Sequence, residues 1–309
     1  MRLTNLLTML AMVLSATVAV SQTQDPSQDE ESSRQIVLDR FNTARPLSEA
    51  AKGGVTSGTA TMKPPVYRRT GPARIARRGA RPPTTEEIGV TVWRLRPARD
   101  NDVGGRVLVL DGLKQAQYTP ERIEASTPLN VGDRVRITVE SPRPGFLYII
   151  DREQYVDGSF GDPMLIFPTL KTRGGDNRVM PGKLIDIPAQ EDQYSYFTAQ
   201  PGGSRRDQVA EVLTVILTPS PLPLTIGDQP LKILQSQVAE WEKGWGGLTE
   251  TLELIGGAGR TWTNEEKAAS AANGRQLTQG GPPPQTVYRV MARKTGGPLM
   301  VTVPLRYAR

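Results

Sequence analysis

Apolar and polar residues alternate with a period of two at intervals through the C-terminal two thirds of the chain. The clearest case is Arg134–Glu140, where Val135, Ile137 and Val139 share one face while Arg134, Arg136, Thr138 and Glu140 take the other. Successive side chains of an extended backbone point to opposite sides, so the pattern predicts a half-buried antiparallel strand. Residues 146–150 follow a Pro-Arg-Pro-Gly turn ending at Gly145 and read as its partner. Residues 88–95 and 106–110 flank Gly104 and Gly105 and read as a second hairpin. Shorter runs rich in β-branched and aromatic residues cover Met164–Phe167, Leu184–Ile187, 194–198 and 212–217. Residues 286–293 and Leu299–Arg306 predict a C-terminal hairpin, with Pro304 placing the last strand at an edge. This cadence predicts an all-β, sandwich-like antiparallel domain over residues 86–309. Leu231, Leu234, Val238 and Trp241 recur at helical spacing, and a second helix is expected from Asn264, with Glu265 and Glu266 in its first turn. With its glycine pairs, the stretch 228–285 reads as a helical, Gly-rich insertion.

The N-terminal third is different. Arg2 precedes an apolar run from Leu6 to Val20, and the small residues Ala19 and Ser21 suit a signal peptidase groove. Residues 1–21 are therefore expected to be a cleaved signal peptide, cut after Ser21 or, as second choice, after Ala19. The alternative is an uncut anchor, for which the run is short against the roughly 20 residues that span a bilayer. The expected destination is the periplasm, cell surface or extracellular space, with no integral membrane span after cleavage. Residues 22–85 are rich in Ser, Thr, Gln, Gly, Pro and charge, with one short helix expected around residues 33–41, and read as a disordered linker.

Composition narrows the chemistry. The chain has 309 residues, 37% apolar and 6% aromatic, with 30 Gly and 26 Pro, enough apolar material for one moderate core. It has no Cys and no His, which excludes disulfides, thiol nucleophiles, histidine bases and zinc sites of the usual kind. Catalysis would have to rest on carboxylates, Ser with Lys, Tyr or Arg. No Asp-Thr-Gly, Ser-x-x-Lys or Gly-x-Ser-x-Gly element is present. Asp and Glu lie in turn-rich surroundings that read as solvated surface. Asp151, Asp157 and Asp162 sit near Gly158, but their spacing departs from the twelve-residue calcium loop and reads as a plain hairpin or loop. No metal, no cofactor and no enzymatic activity are expected.

The formal charge is +6, and its excess is local. Lys63, Arg68, Arg69, Arg74, Arg77, Arg78 and Arg81 fall within residues 63–83, which hold no acid. The rest is near neutral, so nucleic acid is not an expected partner. Cations on a proline-bracketed tether suit an anionic envelope component or a peripheral membrane surface, each contributing about 1 kcal/mol. The competing reading is a soluble linker extended by self-repulsion.

The run from Gly132 through Pro144, Gly145 and Tyr148 to Asp151, then Asp157-Gly158, Ile166-Phe167-Pro168, Asn177 and Ile185 to Pro188, resembles the domain-of-unknown-function 4384 family over residues 129–217. The resemblance implies a small exported β module, sometimes fused to peptidase or kinase-like domains, without an assigned activity. The same positions have folding reasons: Gly132-Asp133 and Pro144-Gly145 make turns, and the residues between them alternate. The expected role is a non-enzymatic binding or scaffolding module for a protein partner or an anionic envelope component. Two alternatives stand beside it. A carboxylate-based hydrolase of envelope polysaccharide needs two acids facing across a cleft. An assembly subunit needs a free strand edge.

Overall fold

The computed structural model describes residues 43–47, 65–70, 85–111, 114–190, 192, 195–202, 205–292 and 294–308. The described strands are β1 (Tyr67–Thr70), β2 (Thr85–Pro97), β3 (Val107–Asp111), β4 (Lys114–Ile123), β5 (Arg134–Glu140), β6 (Gly145–Tyr155), β7 (Met164–Phe167), β8 (Arg178–Val179), β9 (Leu184–Ile187), β10 (Phe197–Thr198), β11 (Gln208–Thr218), β12 (Leu231–Lys232), β13 (Thr249–Leu254), β14 (Thr286–Met291) and β15 (Leu299–Arg306). Two helices join them, α1 (Gln235–Trp245) and α2 (Asn264–Ser270).

The strands form two antiparallel sheets, as the all-β sandwich expectation required. The nine-stranded sheet runs β1-β13-β14-β2-β4-β3, with β5 on the other side of β2 and β9 and β10 on β5. The six-stranded sheet runs β12-β7-β6-β11-β15, with β8 on β6. Between them lies the core. Ile88, Val90, Val135, Ile137 and Val139 of the first sheet meet Leu147, Ile149, Leu213, Val215 and Val301 of the second. The alternation of β5 thus reports a real buried face.

The expected pairings do not hold. β5 and β6 belong to opposite sheets, β3 pairs with β4 instead of β2, and β14 lies between β13 and β2 while β15 pairs with β11. The physical reason is that alternation fixes which face is buried and is silent about which strand lies alongside. Crossing between layers sets the apolar rows of β5 and β6 against each other, where a hairpin would leave both needing a cover. Pro304 stands opposite Val212 on β15, the end of its sheet, as an edge proline should.

Residues 228–285 are not an excursion from the sandwich, because β13 sits inside the first sheet between β1 and β14. α1 starts four residues later than its apolar spacing suggests, since Leu231 and Lys232 pair with β7. It lays Val238 and Trp241 over Tyr148, Ile150, Ile216 and Met300 on the outside of the second sheet. β6 and β11 are consequently covered on both faces. α2 is capped by Thr263, one residue before Asn264, through a reciprocal capping box with Glu266. The run leading into it covers the outside of the first sheet, where Trp262 stands 6.4 Å from Trp93.

The linker expectation fails at three places. Tyr67–Thr70 is a strand on β13, with Tyr67 buried and its hydroxyl donating to the Pro284 carbonyl at 2.6 Å. Arg45 is also buried, and Nε and Nη2 each donate to Glu140 at 2.7 Å. Its Nη1 reaches the Gly281 carbonyl at 3.0 Å and Nη2 the Pro282 carbonyl at 2.9 Å. β2 begins at Thr85. A buried guanidinium is tolerable only with its donors occupied, and this fork is well occupied. The expected signal peptide and the helix around residues 33–41 lie outside the described residues. Among the described residues no helix is long and apolar enough to cross a membrane.

Candidate functional site

The strands that carry the core run beyond it, and there the inward row changes character. On β6 the row reads Leu147, Ile149, then Asp151, Glu153 and Tyr155. On β11, read in the opposite direction, it is Leu217, Val215, Leu213, then Glu211. Antiparallel register sets Leu217 beside Leu147, Val215 beside Ile149, Leu213 beside Asp151 and Glu211 beside Glu153. Apolar pairs therefore give way to acids at one end of the sandwich, on positions whose alternation points them between the sheets.

A β-bulge finishes the arrangement. The register of β11 on β6 shifts between Gln208 and Ala210. In a regular strand Gln208 and Glu211, three apart, would face opposite ways; the extra residue turns them to the same side. Gln208 Nε2 donates to Glu211 Oε1 at 2.7 Å. Just past β15, the Tyr307 N–H donates to the Val209 carbonyl at the bulge at 2.9 Å, and its hydroxyl reaches Glu211 Oε1 at 3.2 Å.

Two spaces share these acids in their walls. The outer pocket, about 580 Å³, is lined by Asp151, Glu153, Tyr155, Phe160, Arg205 and Glu211, among others. The inner cavity, about 120 Å³, shares Asp151 and Glu211 but is otherwise mainly apolar, with Leu129, Val135, Ile166 and Leu305 in its wall. Gly161 and Gly202 let two loops close on Glu153, since a Cβ at either would crowd its carboxylate. Tyr155 donates its hydroxyl to the same carboxylate. The Arg205 guanidinium lies 4.1 Å from the Tyr155 ring centre and is paired with Asp157 and Asp207.

The electrostatics follow from burial and crowding. Burial, then the neighbouring Glu211 charge, pushes the Asp151 carboxyl up to about 8. Burial also raises Glu211, against the donors Gln208 and Tyr307 that stabilise its charge. The two groups lie within hydrogen-bonding reach, which carboxyl groups use only when one carries a proton; here Asp151 carries it and Glu211 accepts. Asp151 Oδ1 is sealed from water and has no hydrogen-bond partner among the described residues. The hydrogen bond to Glu153 raises Tyr155 to about 12. The arrangement can attract a positive charge, and it can hold or hand over a proton. Among the described residues no group of three or more metal-ligating side chains is placed to hold an ion.

The residues singled out for binding lie elsewhere. Arg68 and Arg69 stand on β1, ion-paired with Glu124 and, at 3.1 Å, with Glu250. Lys63, Arg74, Arg77, Arg78 and Arg81 lie outside the described residues. Asp151, Asp157 and Asp162 do not converge. Asp151 and Asp162 both line the outer pocket, but Asp162 is paired with Lys232, and Asp157 accepts from Ser159 and Arg205. Reading the acids as solvated surface misses Glu153 and Glu211, and nothing local marks Gln208 or Tyr307 as their partners. The signal available was phase: these acids continue the apolar rows of their own strands. Comparison of the chain with protein-family models, with curated proteins and with solved structures gave no match.

Proposed function

We propose that the protein is an exported binding module whose ligand site is the acidic pocket at the end of the sandwich, and that the partner presents a positively charged group there. The observation that carries this is the set of three carboxylates on the inward phase of β6 and β11, one oxygen of which is sealed and unpartnered. A site whose crowded acids keep a proton on Asp151 is short of positive charge, and a cation supplies it. The basic stretch Lys63 to Arg81 remains a proposed secondary contact for an anionic envelope surface. Its two described members, Arg68 and Arg69, already have acidic partners, which weakens their part in that contact.

Fluorescence anisotropy tests the proposal. A labelled lysine-rich peptide should bind the mature chain, and a glutamate-rich peptide of equal length should not. The Glu153→Gln/Glu211→Gln protein should lose about tenfold or more in affinity, the size of one charge-assisted hydrogen bond. Equal binding of the two peptides, or indifference to the double substitution, would remove the pocket from the account.

A second reading is favoured by the shared proton. Asp151 held neutral is a ready acid, and Glu153, two residues along the same face, is separated by a strand rise of roughly 6.6 Å, within the span of an inverting glycosidase pair. Release of reducing sugar from envelope polysaccharide that vanishes in Asp151→Asn would establish it. No release by the wild-type chain would dismiss it.

A further inference from the structure

We propose that the pocket takes a primary ammonium group carried on a short branched aliphatic chain, with the ammonium between Asp151 and Glu211 and the chain in the apolar cavity beneath them. This rests on the cationic-partner reading and gives the partner a shape. The two acids belong to both spaces. A group bound between them therefore has polar walls on one side and Leu129, Val135, Ile166 and Leu305 on the other.

Size and donor count select within the cations. An apolar cavity of about 150 Å³ accepts benzene, so an inner cavity of about 120 Å³ suits a leucine-sized group. A guanidinium is planar and spreads five donors in a wide fork, whereas an ammonium is compact and can turn its three donors to the oxygens present. Asp151 Oδ1 has no hydrogen-bond partner among the described residues, the Arg152 backbone N–H being the one backbone group that favours this carboxyl's charge, and Glu211 Oε1 is already served by Gln208 and Tyr307. One strong donor placed at the pair completes it. A free branched amine and the amino terminus of a peptide beginning with leucine carry the same chemistry.

Binding of a cation here displaces the proton held between the two acids. The groups facing the pair are Glu153 and Tyr155 from β6, Glu211 from β11, Tyr307 after β15, and Arg205 and Asp162 from the surrounding loops. The carboxyl pair gives up a proton between neutral and mildly basic pH, since Asp151 titrates at about 8, whereas Tyr155 holds its proton to about 12. Affinity for an alkylamine, which stays charged to about pH 10, should rise from pH 6 to pH 8.

Titration calorimetry of the mature chain tests this with isoamylamine, isoamyl alcohol and methylamine as probes. Isoamylamine should bind about tenfold or more tightly than either of the others. Its heat should vary with the ionisation enthalpy of the buffer, showing proton release. Glu211→Gln should weaken it about tenfold, with circular dichroism confirming the fold. Leu-Gly-Gly against its N-acetylated form then separates the sources: tighter binding of the free peptide assigns a peptide terminus, and binding of isoamylamine alone assigns a small amine. Equal binding of the alcohol and the amine would overturn the proposal. So would equal binding of the two amines, or no heat from isoamylamine in the millimolar range. If the lysine-rich peptide still binds through Glu153 and Glu211 in those cases, the cationic-partner reading survives and only the aliphatic ammonium falls.

Discussion

Replacing Asp151 by Asn should stabilise the protein, and more so at pH 8 than at pH 5. In the unfolded chain an aspartate gives up its proton near 3.8, whereas in the native pocket Asp151 keeps it to about 8. Between those values the native state binds more protons than the unfolded one, so native stability falls as pH rises through the window. At about 1.4 kcal/mol per pH unit, the whole gap corresponds to about 6 kcal/mol. About 4 kcal/mol of it falls between pH 5 and pH 8; the outer pocket opens to water, which screens the charge, and about half of that, roughly 2 kcal/mol, is the expected loss in this window. An asparagine keeps the shape and cannot ionise. Its side-chain N–H can still donate to Glu211, the part that protonated Asp151 plays in the native pocket. Urea melts of both proteins at the two pH values measure the difference. The wild type should lose stability from pH 5 to pH 8 while Asp151→Asn loses much less. If the two curves run parallel, or if the amide is the less stable protein at pH 8, Asp151 is not the strained acid described and the electrostatic basis of the site collapses.

Two further outcomes bear on other parts of the molecule. Arg45→Met strands Glu140 inside the protein and should destabilise it by about 3–5 kcal/mol, whereas Arg45→Met combined with Glu140→Gln should recover much of that; urea melts showing no penalty for the single change would mean that the N-terminal segment is not docked. Gln208→Ala removes a donor that stabilises ionised Glu211, so carboxyl-carbon NMR should show Glu211 titrating at still higher pH, and an unmoved titration would mean that the bulge does not aim Gln208 at it.

Much of the strand content was legible because alternation is a local property. Arg134–Glu140, Met164–Phe167 and Leu184–Ile187 have the bounds their patterns suggest. Partners were not legible. β14 looks like a mate for β15 because a Gly-Gly-Pro turn joins them, yet its neighbours are β13, over thirty residues back, and β2, about two hundred residues back. Register and neighbour are decided by which apolar faces must cover one another, and that depends on the whole set of strands. Two residues of the basic stretch show the same limit. Arg68 and Arg69 belong to a charge run by composition, but in space they stand across from Glu250 and beside Glu124. Tyr67 was the clue, a large aromatic residue that gains little in an extended tether and much in the cover of a sheet.

The site was hidden by the rule used to end strands. Residues 146–150 stop one position before Asp151, and residues 212–217 begin one position after Glu211, because hydrophobicity drew both boundaries. The backbone continues extended past each, so Asp151, Glu153 and Glu211 inherit the inward direction of the leucines, isoleucine and valine before them. A carboxylate in that direction opposes folding, which prefers an apolar residue there. Three such positions meeting at one end, with a bulge supplying Gln208 and Tyr307 closing beside it, put stability at risk where the fold itself asks for none of them. Local choices that contradict the global packing are where a function is to be sought. The two rims of the sandwich differ on this count. Where β5 ends, the outward acid Glu140 is held by Arg45 on both oxygens. At the far end of β6 the inward acids answer to hydroxyls, an amide and each other, and none of them is ion-paired with a cation among the described residues; that asymmetry supports the proposal that the open charge serves a partner.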